Sequence, residues 1–306
     1  MSHSWATRLP HPVLRPLVTR YIGYAQDDVT LTVHRGLPSR HVTLIISLEQ
    51  PIRFAGLSGE GTLQALVGGL HTSPALITQD RVQRGLHVEL DPLGVRSLLG
   101  VTAAELSGRV VDLAELGRPW ASLPSRLSEA ADWPSRFAVL DEVLATSASG
   151  APSPAPELGE AWRLLRVRAG GVRVTDLASS VGWSRRHFGE RFRAEVGLAP
   201  KQVARVLRFE RAGRLLRAGA SDLASVAVEA GYYDQAHLSN EWRALAGCSP
   251  RTWIAEELPF LQDDAVPSEP DSRACHLNRQ SGPPSATTTP PRPCASSSTS
   301  SASRRR

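Results

Sequence analysis

The stretch GYYDQAHLSNEW, residues 231–242, decides how the second half of this chain is interpreted. A glycine and two tyrosines precede a segment in which Leu238 and Trp242 lie four positions apart, the spacing of one helix face. Gly231 suits a left-handed turn because it has no Cβ, and Asp234 is a typical helix N-cap. The pattern predicts a turn and then a helix that buries one apolar stripe. Such a helix is either an ordinary surface helix or one whose polar faces touch a partner.

The same pattern occurs about fifty residues upstream. Residues 176–200 read DLASSVGWSRRHFGERFRAEVGLAP, and residues 222–250 read DLASVAVEAGYYDQAHLSNEWRALAGCSP. Ser184 is the predicted N-cap of the first copy, and Phe188 and Phe192 form its apolar stripe. Two matched copies joined by a helical segment at 200–217 predict a pair of helix-turn-helix units, in which the first helix of each unit supports the second. The aromatic residues expected in the core are Trp183, Phe188, Tyr232, Tyr233 and Trp242.

The distribution of charge favours a polyanionic partner. The 306-residue chain has a net charge of +5, but residues 185–217 alone hold ten basic and three acidic residues. A local basic excess attracts nucleic acid. The alternative is a solvated helical face.

The first half has a different pattern. Short β-rich runs such as VTLIISL (42–48) and GLHVEL (85–90) are separated by glycine and proline, which predicts a small antiparallel sheet or barrel with trailing helices. The fold class is therefore α+β, with an all-α C-terminal domain. We expect a regulatory, sensing or dimerisation domain at 1–149, a linker with three prolines at 150–157, a double helix-turn-helix domain at 158–258, and a disordered tail at 259–306.

The C-terminal hundred residues resemble the DNA-binding domain of AraC/XylS-type transcriptional regulators. The resemblance is carried by LASSVGWSRRHFGERFRAEVGLAP (177–200), RFERAGRLLRAG (208–219) and VAVEAGYYDQAHLSNEWRALAGCSP (226–250). LPSRHVTLIISL (37–48) and ELDPLGVRSLLGV (89–101) more loosely resemble the regulatory domain of an actinobacterial subgroup. The resemblance implies two recognition helices, held by one long helix, that enter successive major grooves of DNA.

The resemblance also implies which residues face the bases. The positions are Arg186, Gly189 and Glu190 in the first recognition helix and Gln235, Ala236 and Asn240 in the second. Arginine can bond guanine, glutamine or asparagine can pair with adenine, and glutamate can accept from cytosine. Glycine has no side chain to read a base, so base readout is expected from Arg186, Glu190, Gln235 and Asn240.

A second set of side chains is better suited to phosphate. Its members are Ser184, Arg185, His187, Arg193 and Ser239. Glu190 and Glu241 would repel phosphates if they pointed at the backbone. Arg208 and Glu210 on the joining helix are expected to be structural, because a matching arginine in the family braces the two units.

The sequence leaves three functions to compare. The first is a sequence-specific regulator of transcription that binds double-stranded DNA in the bacterial cytoplasm, associated with the nucleoid, with a small-molecule effector or a homodimer contact in its N-terminal domain. The second is a metal-dependent cupin-like enzyme fused to a DNA-binding module, and the third is a protein-interaction module. We expect no cofactor, no metal site and no catalytic residue, because no catalytic motif occurs and the four histidines of the sheet region lack ligand spacing. These histidines are His34, His41, His71 and His87. No segment predicts a secretory signal or a membrane span.

Overall fold

A computed structural model describes residues 3–57, 59–148 and 154–258. Within these ranges, ten strands form two antiparallel sheets in the N-terminal half, and eleven α-helices lie after them in the chain or between the last two strands. The strands are β1 (His3–Arg8), β2 (Val18–Asp27), β3 (Val33–Gly36), β4 (Val42–Ser47), β5 (Ile52–Gly56), β6 (Gly59–Leu63), β7 (Ala65–Gly68), β8 (Ala75–Thr78), β9 (Val82–Leu90) and β10 (Val110–Asp112). The sheets have the orders β1-β2-β9-β4-β7-β10 and β3-β8-β5-β6.

Strand β4 lies inside the larger sheet and shows why these residues form strands. Its side chains are mostly β-branched, and successive ones point to opposite faces of the sheet, so that Val42, Leu44 and Ile46 are buried on one face. It pairs with β9 on one side, with Leu44 opposite Val88, and with β7 on the other. The buried face of this sheet forms the N-terminal part of the main hydrophobic core.

Helices cover the larger sheet. The helices of the N-terminal half are α1 (Val95–Leu99), α2 (Ala103–Leu106), α3 (Leu123–Glu129) and α4 (Trp133–Ser147). The longest of these trailing helices is α4, and its Phe137 ring stacks on Tyr21 of β2 at 5.9 Å between ring centroids. The Trp133 ring lies directly on Gly23, so close that a Cβ there would be 2.5 Å from it.

The C-terminal half is helical. Its helices are α5 (Pro156–Val167), α6 (Val174–Ser180), α7 (Arg185–Val196), α8 (Pro200–Arg217), α9 (Leu223–Ala230), α10 (Gln235–Ala246) and α11 (Pro250–Glu256). The pairs α6–α7 and α9–α10 are the two helix-turn-helix units, and α8 joins them.

The two turns are built alike. Gly182 and Gly231 have φ values of +71° and +85°, the left-handed region that favours glycine. In each turn the following aromatic residue donates its backbone N–H to an alanine carbonyl of the first helix, at 2.9 Å for Trp183 and 2.8 Å for Tyr232. Ser184 then accepts from the backbone N–H of the third residue of α7, at 3.2 Å, and Asp234 does so in α10, at 2.7 Å. The predicted turns and N-caps are confirmed.

The buried apolar residues form two clusters. The first extends from the larger sheet through α5, α6 and α7 to the first half of α8. The second contains the rest of α8 with α9, α10 and α11, and in it Phe209 of α8 lies 4.6 Å from the Trp242 ring, measured between centroids. The first helix-turn-helix unit therefore shares a core with the N-terminal half, whereas the second has a core of its own.

The predicted fold class, an antiparallel N-terminal domain with trailing helices and a helical C-terminal domain, is confirmed. The predicted boundaries remain a prediction. Half of the predicted linker, residues 150–153, and the predicted tail, residues 259–306, lie outside the described residues.

Candidate nucleic-acid interface

Helix α7 buries one stripe and leaves its other faces in water. Phe188, Phe192 and Val196 are buried, and they hold the helix against α6 and the main core. The Arg186 side chain is 89% exposed and that of Glu190 is 63% exposed, so both predicted base readers point away from the core.

Arg186 and Glu190 also contact each other. Arg186 Nε donates to Glu190 Oε1 at 2.9 Å, an i,i+4 ion pair. At this exposure such a pair contributes at most about 0.5 kcal/mol to stability. Because it uses Nε, both terminal amino groups of the guanidinium remain available to bond guanine O6 and N7. Glu190 is thus placed to orient Arg186 as well as to accept from a base.

Helix α10 repeats this arrangement. Leu238 and Trp242 are buried, and Gln235 and Asn240 are exposed. Asn240 Oδ1 accepts from Arg243 Nη1 at 3.3 Å, which leaves its amide N–H groups to donate.

Glu241 is paired with an arginine of the joining helix. It accepts from Arg205 Nε of α8 at 2.8 and 3.1 Å, and its side chain is largely buried. The repulsion considered from the sequence is therefore offset by a paired arginine, and the pair fixes α10 on the joining helix.

The predicted phosphate contacts lie around the N-terminal end of α7 and along α10. Arg185, His187 and Arg193 are exposed, and the His187 ring meets the edge of Trp183 at 4.8 Å between centroids. Ser184 accepts from a backbone N–H, so its hydroxyl proton is still available. Ser239 is half-buried on α10. Helix N-termini carry partial positive charge, which favours phosphate at this place.

One aromatic residue was wrongly assigned to the core. Tyr232, Phe188 and Trp242 are buried and Trp183 is half-buried, but Tyr233 is 89% exposed. The reason is that Tyr232 already occupies the position that Trp183 has in the first turn, so the second turn has no core position for another ring.

Arg208 packs against the second turn, and the brace between the two units that the resemblance implies stays a prediction. Its guanidinium lies over the Tyr232 ring, 5.7 Å from the centroid, and its aliphatic chain runs 3.5 Å from the place of a Cβ on Gly231. Its Nε is buried and has no hydrogen-bond partner among the described residues.

Glu210 instead joins the helical half to the N-terminal half. It accepts from the backbone N–H of Arg40 at 2.7 Å and from Arg40 Nη1 at 3.5 Å. Burial raises the pKa of Glu210, and Arg40 opposes that rise. Sequence reasoning did not predict this contact, because the two residues are 170 positions apart.

Further contacts join the two halves, and three of them involve side chains that are at least half-buried. Glu257, with its side chain fully buried after α11, accepts from His34 Nδ1 at 2.7 Å, from the Arg35 backbone N–H at 2.9 Å and from Arg35 Nη1 at 3.1 Å. Burial raises the pKa of Glu257, but the hydrogen bonds from His34 and Arg35 outweigh it and hold the pKa below its ordinary value. Arg96 pairs with Glu195 at 3.3 Å, and Asp91 accepts from Trp162 Nε1 at 2.9 Å.

The histidines of the sheet region have structural partners or are buried. His34 bonds Glu257, and His71 Nδ1 lies 2.6 Å from the Ser73 carbonyl. Burial lowers the pKa of His41 to about 3, and it also lowers the pKa of His87. In the part of the chain that the structure describes, no group of three or more histidine, cysteine, aspartate or glutamate side chains could hold a metal ion.

None of the helices in the described ranges is both long enough and apolar enough to cross a bilayer.

Comparisons with known proteins match the two halves separately. Residues 177–256 match a family described as a helix-turn-helix domain, and residues 6–112 match a domain of unknown function, DUF6597. A putative AraC-like transcription regulator of Streptomyces antibioticus is 33% identical over 86 residues, which is 28% of this chain and 28% of that protein. One of Streptomyces lividans is 38% identical over 77 residues, 25% of each. The matches thus span about a quarter of the relatives' own length.

A solved structure shares the overall fold. Apo ToxT from Vibrio cholerae superposes with a TM-score of 0.50 at 9% identity, covering 77% of this chain and 97% of the other. At that identity the likeness concerns the fold alone. The helix-turn-helix match and the Streptomyces relatives agree with the doubled turn, the two caps and the joining helix described above. Residues 177–256 of this chain are therefore a helix-turn-helix domain, similar to that of AraC-like transcription regulators.

Proposed function

We propose that this protein is a sequence-specific DNA-binding regulator of transcription that reads two successive major grooves with α7 and α10. The observation that carries the proposal is the pair of exposed polar helix faces, each set on a turn with the same glycine, hydrogen bond and N-cap. One such unit is a common helical hairpin. Two such units joined by one helix can place their second helices in two successive major grooves.

The proposed base contacts are Arg186 and Glu190 from α7 and Gln235 and Asn240 from α10. All four are exposed. Arg186 offers two free terminal amino groups to guanine, and Gln235 and Asn240 offer the paired donor and acceptor that adenine takes. Glu190 serves mainly to hold Arg186 at a fixed angle, through the 2.9 Å contact with its Nε.

The proposed phosphate contacts are Ser184, Arg185, His187, Arg193 and Ser239. Arg185 and Arg193 supply charge, and each phosphate that they neutralise releases counterions. The serines supply neutral hydrogen bonds that fix the register of the helices on the duplex.

Selection from a random-sequence duplex library with the full chain tests the proposal. We expect an enriched site with two boxes about 10–10.5 bp apart, one for each recognition helix. The affinity for that site should fall with salt, with a log–log slope of about −0.9 for each phosphate contacted. A library that shows no enrichment refutes the proposal, and a single short box refutes the role of two helices.

We also infer that the N-terminal half controls DNA binding, through a small-molecule effector or through a homodimer contact. A cavity of about 330 Å³ between the larger sheet and α3 and α4 has the size for a small molecule. Its lining residues are Ala25, Leu48, Glu49, Arg84, Ser128, Trp133 and Arg136. Thermal-shift screening of small polar compounds on the wild type and on Ser128→Trp, which fills the cavity, tests the effector site, since a true ligand must stabilise only the wild type. Sedimentation at several concentrations tests the dimer. A regulator of this kind acts in the bacterial cytoplasm, on the nucleoid.

A further inference from the structure

The two helix-turn-helix units differ by one residue, and that residue is Tyr233. The glycines of the turns are 49 residues apart, but the buried stripes that follow them are 50 residues apart. Gly182 is followed by Trp183 and then by the N-cap Ser184, whereas Gly231 is followed by Tyr232, Tyr233 and then the N-cap. Trp183 and Tyr232 make the same backbone hydrogen bond and the same edge contact with a histidine, so Tyr233 is the added residue.

The added ring lies in water. At 89% exposure, Tyr233 is the most exposed large apolar side chain among the described residues. Tyrosine combines a large apolar ring with a hydroxyl that can form a hydrogen bond, which is why it is enriched at interfaces. Its backbone N–H is nevertheless tied down, because it donates to His237 Nδ1 at 3.3 Å. The ring is therefore presented from a fixed turn.

The position of Tyr233 is just before the first base reader of α10. Asp234, the N-cap of that helix, has an extended backbone with φ −155° and ψ 177°, and its carboxylate accepts from the His237 backbone N–H. Tyr233 therefore lies two positions before Gln235, at most about 7 Å away along the chain.

We propose that Tyr233 contacts the sugar–phosphate backbone at the edge of the groove that α10 enters, with its hydroxyl donating to a phosphate oxygen and its ring against a deoxyribose. This inference rests on the proposed function, since it needs α10 in the groove. The residue precedes the helix, so it meets the wall of the groove before the base edges that Gln235 reaches. It supplies affinity and register to the second unit, and the first unit has no equivalent of it.

A neutral donor leaves a signature that separates it from an arginine. A phenol forms a hydrogen bond with phosphate but neutralises no charge, so it releases no counterion. Loss of Tyr233 should weaken binding without changing the salt slope. Loss of Arg185 from the first unit should weaken binding and reduce the magnitude of the slope by about 0.9.

The test is a titration of the selected duplex with the full-length wild type, Tyr233→Phe, Tyr233→Ala and Arg185→Ala at several salt concentrations. Leu9→Ala, which removes another exposed apolar side chain (58% exposed) in the N-terminal half, is the control. We expect Tyr233→Phe to weaken binding roughly tenfold, the low end for a hydrogen bond to a charged group. Tyr233→Ala should weaken it by roughly a further threefold as the ring contact is lost. Both changes should be equal on all site variants, and Leu9→Ala should bind like the wild type.

The outcomes separate this inference from the proposed function. If the wild type selects no duplex, the proposed function fails. If the wild type binds and both Tyr233 variants bind as tightly as the wild type, only the backbone contact fails. The exposed ring would then serve another partner. A loss confined to one base position also overturns the inference, because it would make Tyr233 a reader of a thymine methyl group. Circular dichroism of each variant checks that the helices are intact.

Discussion

Replacing Glu257 by alanine should destabilise the whole protein, because this residue contacts the N-terminal half. Its carboxylate is fully buried and accepts three hydrogen bonds from the N-terminal half, at 2.7, 2.9 and 3.1 Å. Alanine would leave His34 and the Arg35 guanidinium without this acceptor. Breaking a buried pair by removing one partner typically costs about 3–5 kcal/mol. For a protein of this size, that corresponds to a fall in Tm of about 6–20 °C.

Glu256 provides a matched control on the neighbouring position. It pairs with the same Arg35 Nη1 at 2.8 Å, but its side chain is 48% exposed. Exposed pairs contribute about 0–1 kcal/mol, so Glu256→Ala should change stability by no more than that. The two residues carry the same charge and share the Arg35 guanidinium, but only Glu257 is buried and also accepts from His34 and the Arg35 backbone N–H, so the contrast measures burial together with those two bonds.

The assay is urea unfolding followed by circular dichroism and tryptophan fluorescence, repeated as a function of pH. The folded pKa of Glu257 lies below its ordinary value of 4.5. Ionised Glu257 therefore stabilises the protein fully above about pH 4.5, and this contribution is lost as the pH falls through the folded pKa. The difference between wild type and Glu257→Ala should accordingly shrink in acid.

Equal effects of Glu257→Ala and Glu256→Ala at neutral pH, or a loss under about 1 kcal/mol for the buried position, would refute the reasoning. A difference between wild type and Glu257→Ala that does not shrink at any acid pH at which both proteins remain folded would refute the assignment of the ionised form, because it would mean that packing and not charge holds the two halves together there.

Three further predictions follow from contacts described above. Arg186→Ala should relax selection at one base position of the site and cost about 1–3 kcal/mol of binding, measured by titrating single-base site variants, and a uniform loss would make it a phosphate contact. Gly197→Ala should be at least about 1 kcal/mol more destabilising than Gly219→Ala in urea unfolding. Both glycines have φ +90°, but a Cβ at Gly197 would lie 2.6 Å from Ser107, whereas a Cβ at Gly219 would meet nothing within 4 Å. Equal losses would remove the steric argument. Glu89→Gln should be destabilising at neutral pH, and the difference from wild type should narrow from pH 4.5 toward pH 2, because the pKa of Glu89 is held at about 2 and its stabilising contribution is lost through that window; an unchanged difference at pH 2 would contradict this.

The local features of the helix-turn-helix units could be predicted because the information for them is local. Gly231 with φ +85° and the Asp234 cap are set by residues within four positions of each other. The stripe of Leu238 and Trp242 follows from helical spacing alone. The ion pair of Arg186 and Glu190 has the i,i+4 spacing that such pairs prefer, so it also could have been predicted.

The contacts between the two halves could not be predicted, because nothing local specifies them. Glu210 meets Arg40 across 170 positions and Glu257 meets His34 across 223. In sequence nothing near Glu257 points to His34, and Glu210 was expected to be structural without any indication of its partner. The error at Tyr233 has a different origin. The change of offset from 49 to 50 was visible in the sequence, and it already implied that one of the two tyrosines had no counterpart in the first core.

The first helix-turn-helix unit shares its hydrophobic core with the N-terminal half, whereas the second has its own. This difference matters when the protein is truncated or its domains are exchanged. If the chain is cut within 149–153 and the N-terminal half is removed, the surface of α7 that contacts α2 and the turn at Pro92–Gly94 becomes exposed to solvent. Helix α7 would then lose part of its support. The second recognition helix, α10, would keep its own hydrophobic core, which contains Phe209, Trp242 and Trp253. In a chimaera that contains only the carboxy-terminal half, the newly exposed side of α7 should therefore be redesigned first. Only then can its DNA preference be compared with that of the parent.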